Sequence, residues 1–223
     1  MKEESFLISF LAPEEVLFYF HRRSKKMKKQ ITLKIARIAI FSAFSFTLYM
    51  LKFNLPFLFP SFLEIQFSTL PAIVIGLLFG PVEGLIVIVV RMFLKLPLTH
   101  TIGVGEIADL VIGLSTVLTS SLIYKYNHTK KGGLIALIFG TLIWVGVAVI
   151  ANWLFILPFY MELAGLDNVL KMLMIIPGIN ETNYMSKYLL YAVLPFNLIL
   201  ASLTSIITYF IYKRISLFFK SEC

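Results

Sequence analysis

Long apolar runs separated by short polar segments fill the chain from Ile31 to Tyr212. Four of these runs are long enough, or nearly so, to cross the hydrocarbon core of a bilayer as helices that rise about 1.5 Å per residue. The four predicted spans are Ile35 to Leu51, Ile102 to Tyr124, Gly133 to Pro158 and Tyr188 to Ile211. The pattern therefore predicts an all-α integral membrane protein.

A fifth apolar stretch, Phe67 to Val90, is interrupted by turn formers and by Glu83. It forms either one broken span or two short helices, Phe67 to Phe79 and Val82 to Leu96. If it forms two helices, the chain has six spans, and 15 of the 20 lysines and arginines lie on the same side as the N-terminus. If it forms one span, the chain has five spans, and 13 of the 20 lie on that side. Because basic residues accumulate in cytoplasmic loops, we expect a six-transmembrane-helix bundle with both termini cytoplasmic.

This topology leaves three outer loops, Lys52 to Gln66, Pro97 to Gly103 and Phe159 to Lys187. Residues 1–26 fit it less well, because their apolar part is too short to span and is broken by a proline and two glutamates. They either form an amphipathic helix on the inner surface or precede a true start at Met27, which we favour. We expect an N-terminal extension over 1–26 and a membrane domain over 27–220.

Composition supports the membrane class and narrows the chemistry. The chain is 59% hydrophobic and 14% charged, with a mean hydropathy of +0.88. Its net charge of +8 comes from basic residues beside apolar spans, where they face anionic headgroups, so we expect the lipid bilayer and not nucleic acid as the partner.

Motifs of enzyme chemistry are absent from the sequence. There is no GxxxxGK[ST] phosphate loop, no HExxH and no GxSxG, and the lone Cys223 excludes a disulfide within the chain. We expect no catalytic residue, no metal site and no cofactor. Active transport by this chain would take its energy from a partner or from an ion gradient.

Polar side chains within the apolar region are costly in lipid, so they indicate a water-facing pocket or a seam between helices. Glu106 and Asp109 share one helix face, and Arg91 and Lys95 can pair with them or with an anionic ligand. The amides of Asn152 and Asn197 either join helices or read the edge of a heterocycle. The candidate ligand-binding residues from this reasoning are Glu64, Arg91, Lys95, Glu106, Asp109, Asn152 and Asn197.

Small residues recur on the first span, where Ala36, Ala39 and Ala43 share one helix face. Such a stripe lets another helix approach closely. It serves either packing inside the bundle or docking of another membrane subunit.

Four segments of the chain together resemble the riboflavin-specific substrate-binding subunit, or S component, of energy-coupling factor (ECF) transporters. They are NLPFLFPSFLEIQFSTLPAIVIGLLFGP (Asn54 to Pro81), GVGEIADLVIG (Gly103 to Gly113), ANWLFILPFY (Ala151 to Tyr160) and LPFNLI (Leu194 to Ile199). The resemblance covers about Lys28 to Lys220. It implies a vitamin binder of the prokaryotic plasma membrane that works with a transmembrane coupling subunit and two cytoplasmic ATPases.

The same resemblance assigns roles to residues. Leu55, Phe59 and Phe62, in the loop after the first span, would cap a flavin ring system. Glu106, Asn152 and Asn197 would supply polar contacts, and the stripe containing Ala39 and Ala43 would dock on the coupling subunit.

The chain departs from the family pattern at polar positions, which bear on specificity more than on fold. These positions are Glu64, Gln66, Thr69, Arg91 with Met92, Asp109 and Leu200. The resemblance implies riboflavin as the ligand, and the departures leave another flavin or vitamin as the alternative. A stand-alone secondary transporter is the remaining hypothesis.

Overall fold

The computed structural model describes residues 14–99 and 103–220. Their helices are α1 (Glu14–Met50), α2 (Leu70–Phe79), α3 (Pro81–Lys95), α4 (Val104–Tyr126), α5 (Lys130–Ala151), α6 (Leu157–Ala164), α7 (Leu166–Leu173), α8 (Tyr184–Tyr188) and α9 (Leu194–Lys220). Two short strands, β1 (Phe53–Asn54) and β2 (Glu64–Ile65), pair antiparallel between α1 and α2.

The four long spans predicted from hydrophobicity are confirmed among the described residues. Helical stretches long and apolar enough to cross a membrane are His21–Met50, Val104–Tyr126, Lys130–Ala164 and Tyr184–Ile215. The interrupted stretch between the first two forms two helices, as predicted. They separate at Gly80, whose φ of 116° is a conformation that favours glycine, and Pro81 begins the second helix.

Two π-helical turns carry long helices past prolines. One covers Asn152–Ile156 and the other Leu189–Val193, and each is followed by a Leu-Pro pair. A proline has no N–H to donate, and its ring crowds the preceding turn, so a local widening lets the helix continue. The helix predicted to end at Pro158 therefore continues to Ala164.

The long segment Phe159 to Lys187, predicted to be an outer loop, contains helical structure. Helix α6 extends into it, and α7 follows after Gly165. Helix α7 buries Val169 and Leu173, while its polar residues are exposed. The apolar positions, four apart in a short segment, anchor α7 to the hydrophobic core.

The chain divides into two compact units, Met1–Ala39 and Ile40–Cys223, with the boundary inside α1. In the first unit the described residues 14–39 form one helix, in which residues 21–39 are mostly exposed. This helix runs without a break through Met27 and Ile35, so it begins well before the predicted first span. Residues 1–13 of the expected N-terminal extension lie outside the described part. The second unit contains the hydrophobic core and the cavity described below.

Glycines allow α2, α3 and α4 to approach closely. A Cβ added at Gly84 would lie 2.6 Å from Val117 Cγ1, 2.8 Å from the Ala72 carbonyl oxygen and 3.0 Å from Gly76 Cα. We expect Gly84→Ala to lower the free energy of unfolding by about 1–3 kcal/mol, because two backbones must move apart. Thermal unfolding of the purified protein in detergent measures this loss.

Gly146→Ala is the matched control, because nothing lies within 4 Å of a Cβ built at that helical position. Its unfolding temperature should stay level or rise slightly, since alanine favours a helix over glycine. Equal unfolding temperatures for the two variants would contradict the close approach at Gly84.

Candidate ligand-binding site

A cavity of about 370 Å³ lies in the second unit, within the range of about 300–1,000 Å³ that is usual for small-molecule sites. It is bounded by the end of α1, the segment after it, and parts of α3, α4, α5, α6 and α9. The residues that line it are Tyr49, Lys52, Ser61, Phe62, Leu63, Glu64, Gln66, Thr69, Lys95, Gly105, Glu106, Ala108, Asp109, Ile112, Trp144, Asn152, Ile156, Tyr160, Phe196, Asn197 and Leu200.

The cap loop, residues 55–63, covers one side of the cavity. It is closed at its base by the β1–β2 pair, in which Asn54 lies opposite Glu64. Phe62 lines the cavity, and its ring centroid lies 5.3 Å from that of Tyr160 and 5.8 Å from that of Tyr188. The loop therefore presents an aromatic wall to the cavity.

Two further residues of the cap loop were predicted to contact a ligand and do not line the cavity. The Phe59 ring packs edge-on against Phe196, with ring centroids 5.2 Å apart. The Leu55 carbonyl accepts hydrogen bonds from the backbone N–H groups of Leu58 and Phe59, both at 3.0 Å. Phe59 therefore packs the loop against α9, and the Leu55 backbone closes a turn within the loop.

A charge cluster, defined as Arg91, Lys95 and Asp109, lies beside the cavity. Arg91 Nη2 and Lys95 Nζ approach the same carboxylate oxygen, Asp109 Oδ2, at 2.8 and 2.7 Å. Lys95 also lies over the Tyr49 ring, 4.2 Å from its centroid. Lys95 and Asp109 line the cavity, whereas Arg91 is fully buried behind them. The sequence left open whether Arg91 and Lys95 pair with acidic residues or with an anionic ligand. In the structure both pair with Asp109.

A second ion pair lies where the cap loop meets α1. Lys52 Nζ is 2.9 Å from Glu64 Oε2, and both residues line the cavity. Partial burial lowers the pKa of Lys52, but the hydrogen bond and charge of Glu64, together with Tyr49, outweigh it, so the pKa of Lys52 lies above its ordinary value. Lys52 is therefore charged and paired at neutral pH.

Glu106 lies in the first turn of α4 and is buried. Thr99 Oγ1 donates a 2.8 Å hydrogen bond to its Oε2, and the Gly103 N–H donates to the same threonine oxygen at 3.2 Å. Gly103 precedes the helix with a φ of 88°, a left-handed conformation that suits glycine. The positive end of the α4 dipole favours the carboxylate at this position.

Asn152 opens the first π-helical turn and is oriented by two hydrogen bonds. Its Nδ2 donates to the Ala148 carbonyl at 2.8 Å, and its Oδ1 accepts from the Tyr188 hydroxyl at 2.6 Å. Tyr188 is fully buried. One N–H and one lone pair of the Asn152 amide remain beyond these two bonds.

Asn197 is held in the same way. Its Nδ2 donates to the Val193 carbonyl at 2.9 Å, and its Oδ1 accepts from the Trp144 indole N–H at 3.1 Å. An indole nitrogen can only donate, so the chemistry fixes which end of the amide faces Trp144. Both asparagines line the cavity with known donor and acceptor ends.

Seven of the ten candidate ligand-binding residues line this cavity, and three do not. Lining it are Phe62, Glu64, Lys95, Glu106, Asp109, Asn152 and Asn197; the others are Leu55, Phe59 and Arg91. The small residues of the first span, Ala36, Ala39 and Ala43, are exposed in the structure.

Sequence reasoning missed the aromatic residues that orient the two amides. Trp144 and Tyr188 look like ordinary apolar residues of long spans. The available signal was the polar tip of each side chain, since a buried indole N–H or phenol hydroxyl requires a hydrogen-bond partner. Which polar residue serves as that partner depends on how the helices pack.

Comparison with known proteins places this architecture in a family. The family model described as ECF transporter, substrate-specific component, matches residues 33–212. The chain belongs to this family. As an S component, it also resembles a solved structure described as the S component of a bacterial ECF transporter, with a TM-score of 0.67 and 30% sequence identity over 85% of this chain and 98% of that one.

Curated relatives of this S component are riboflavin transporters. RibU of Staphylococcus aureus is 32% identical over 199 residues, which cover 88% of this chain and 97% of that protein. FmnP of Bacillus subtilis is 30% identical over 130 residues, which cover 57% of this chain and 68% of that protein. The family and the S-component fold expected from the sequence are confirmed, and the protein is a multi-pass protein of the cell membrane.

Proposed function

We propose that this S component binds riboflavin in the cavity beneath the cap loop and supplies it to an ATP-driven ECF module for uptake. The observation that carries this proposal is one cavity lined by aromatic rings, two oriented amides and three carboxylates, in a chain whose relatives are riboflavin transporters. The proposed ligand contacts include Phe62, Glu106, Asp109, Asn152 and Asn197.

The groups around the cavity suit the parts of a flavin. Aromatic rings such as those of Phe62 and Tyr160 stack on a planar heterocycle. Amide donors and acceptors match the carbonyl, ring-nitrogen and imide groups at its edge, and carboxylates accept hydrogen bonds from hydroxyl groups of a ribityl chain. All three types of group line the same cavity of about 370 Å³.

Charge pairing supports an uncharged ligand. Lys52 is paired with Glu64, and Lys95 shares Asp109 with the buried Arg91, so each cation already has a carboxylate partner. With Glu106, which also lines the cavity, the formal charges of three cations and three carboxylates balance. A ligand phosphate would have to break one of these pairs or lie beside the carboxylates. Riboflavin, which carries no charge at neutral pH, avoids both costs.

We propose six membrane-spanning segments with both termini in the cytoplasm. The short helices α2 and α3 are the second and third spans in this arrangement, and the turn at Gly80 lies on the inner side. Basic residues then concentrate on the cytoplasmic side. The cavity and its cap loop lie toward the outer side, where a nutrient arrives.

Docking on a transmembrane coupling subunit, itself attached to two cytoplasmic ATPases, is proposed for α1. Only 11% of the most apolar window of this span is buried within the chain, against 33–39% for the other three long spans. Ala36, Ala39 and Ala43 are exposed on it, and small residues favour close helix contact in lipid. The sequence contains no phosphate-binding loop of its own.

Titration of the purified protein with riboflavin tests the binding proposal. We expect one site per chain, quenching of flavin fluorescence and a dissociation constant between about 1 nM and 1 µM. This range corresponds to a binding free energy of roughly 8–12 kcal/mol. Mass spectrometry of small molecules that copurify identifies a different vitamin if one is bound. Saturable binding of another vitamin with no response to riboflavin would refute the proposed ligand.

Tyr188→Phe tests the orientation of the Asn152 amide. The variant keeps the buried ring but loses the hydroxyl that donates to Asn152 Oδ1. We expect the dissociation constant for riboflavin to rise about tenfold, because one hydrogen bond is worth about 1 kcal/mol and the amide is then held only by the Ala148 carbonyl.

Tyr212→Phe is the matched control for this variant. Tyr212 is also buried and shares a hydrogen bond with Tyr124, but it does not line the cavity. The Tyr212→Phe variant should bind riboflavin with the same affinity as the wild type. A similar loss of affinity in both variants would show that hydroxyl removal acts through general packing.

A further inference from the structure

Arg91 is the largest fully buried side chain among the described residues, and it does not line the cavity. Burying a guanidinium is costly unless its charge is paired and its N–H groups have hydrogen-bond partners. The position of Arg91 behind the cavity therefore requires an explanation other than direct contact with a ligand.

The guanidinium joins two parts of the binding site. Its Nη2 donates to Asp109 Oδ2 at 2.8 Å, and its Nη1 lies 3.0 Å from Ser68 Oγ and 3.1 Å from Thr69 Oγ1. Ser68 and Thr69 belong to the segment that leads from the cap loop into α2. Ser45 on α1 donates to the Ser68 carbonyl and fixes the same segment. A planar guanidinium can hold both partners in a fixed geometry, which a lysine cannot.

The hydrogen bonds to Asp109 are asymmetric. Arg91 and Lys95 both bind Oδ2, and the carboxylate, whose side chain is 15% exposed, lines the cavity. Oδ1 is therefore the oxygen that remains to accept a hydrogen bond from the cavity. An ionised carboxylate accepts and never donates, so it favours a ligand that brings a donor to this point.

We propose that Arg91 is a positioning residue, which holds Asp109 by Oδ2 so that Oδ1 accepts a hydrogen bond from a donor group of the ligand. This inference rests on the proposed function, since the ligand is taken to be riboflavin. Two parts of riboflavin carry such donors, the imide N–H of the ring and the hydroxyl groups of the ribityl chain. The role of Arg91 is then selectivity for a ligand with that donor.

Arg91→Met is the variant that tests this role. It leaves Lys95 and Asp109 as a matched pair, so no lone charge is buried, and the chain should still fold. Dissociation constants are measured for riboflavin, for 3-methylriboflavin, whose imide is blocked, and for lumiflavin, which lacks the ribityl hydroxyls. The readout is the ratio of each analogue's dissociation constant to that of riboflavin.

We expect Arg91→Met to weaken riboflavin binding and to reduce one of the two ratios about tenfold, the value of one hydrogen bond to a charged group. A fall in the 3-methylriboflavin ratio identifies the imide as the donor, and a fall in the lumiflavin ratio identifies a hydroxyl. Tyr212→Phe should leave both ratios at their wild-type values. Arg91→Lys, which keeps the charge, replaces Arg91→Met if the latter does not fold, and should lower the same ratio by a smaller factor.

Two results would overturn the positioning role. One is unchanged riboflavin affinity in Arg91→Met. The other is an equal loss of affinity for all three flavins, which leaves both ratios unchanged, as a merely structural role requires. Failure of the wild type to bind any flavin is a separate result, because it removes the proposed function itself.

Discussion

Asn197→Ala should raise the dissociation constant for riboflavin about 100-fold, while the helices stay intact. This corresponds to a loss of about 3 kcal/mol of binding free energy. The substitution removes an amide that lines the cavity and whose ends are fixed by Trp144 and by the Val193 carbonyl. It also leaves the buried indole N–H without its partner. Fluorescence titration measures the affinity, and far-UV circular dichroism measures the helix content.

Asn168→Ala is a close control for this variant. Asn168 makes the same kind of bond, from Nδ2 to the carbonyl four residues earlier, at 2.8 Å, but it is exposed on α7 and does not line the cavity. The affinity of the Asn168→Ala variant for riboflavin should equal that of the wild type. If Asn197→Ala retains wild-type affinity, or loses helix content together with binding, the asparagine joins helices and does not contact a ligand.

Ala39→Leu should abolish most riboflavin uptake in cells that carry the ECF module, and should leave riboflavin binding by the purified protein unchanged. Ala39 is exposed on α1 and lies outside the cavity. A leucine there keeps the partner helix from approaching closely, and packing contacts supply much of the free energy of helix association in lipid. Uptake of labelled riboflavin and copurification of the coupling subunit are the two measurements.

Gly146→Leu controls for added bulk on an exposed helix, because Gly146 on α5 is exposed and has nothing within 4 Å of a built Cβ. Uptake by this variant should match the wild type. Parallel loss of binding and uptake in Ala39→Leu would refute the docking role, since a docking defect acts after the ligand is bound.

The length of the apolar runs predicted the long spans, because a bilayer imposes a length that the sequence must satisfy. Glu83 and the turn formers around it likewise predicted the break between α2 and α3. The π-helical turns were not predicted, since Pro158 and Pro195 are compatible with a helix end as well as with a widened turn. Tertiary packing decides between these outcomes.

The candidate site could be predicted in its polar residues but not in their pairing. The cost of Asp109 or Asn152 in lipid is a property of the residue itself, so sequence alone indicates a site. That Asp109 pairs with both Arg91 and Lys95 depends on how α3 and α4 lie against each other. The sequence therefore grouped Arg91 with the residues that contact the ligand, whereas the structure buries it behind them.

A crystal structure of the purified protein with riboflavin is the most direct measurement of the proposed binding mode. We expect flavin density in the cavity under the cap loop, with Phe62 against the ring and the amides of Asn152 and Asn197 within hydrogen-bond distance. Flavin bound elsewhere on the protein, with this cavity closed or filled by side chains, would contradict the proposed binding site.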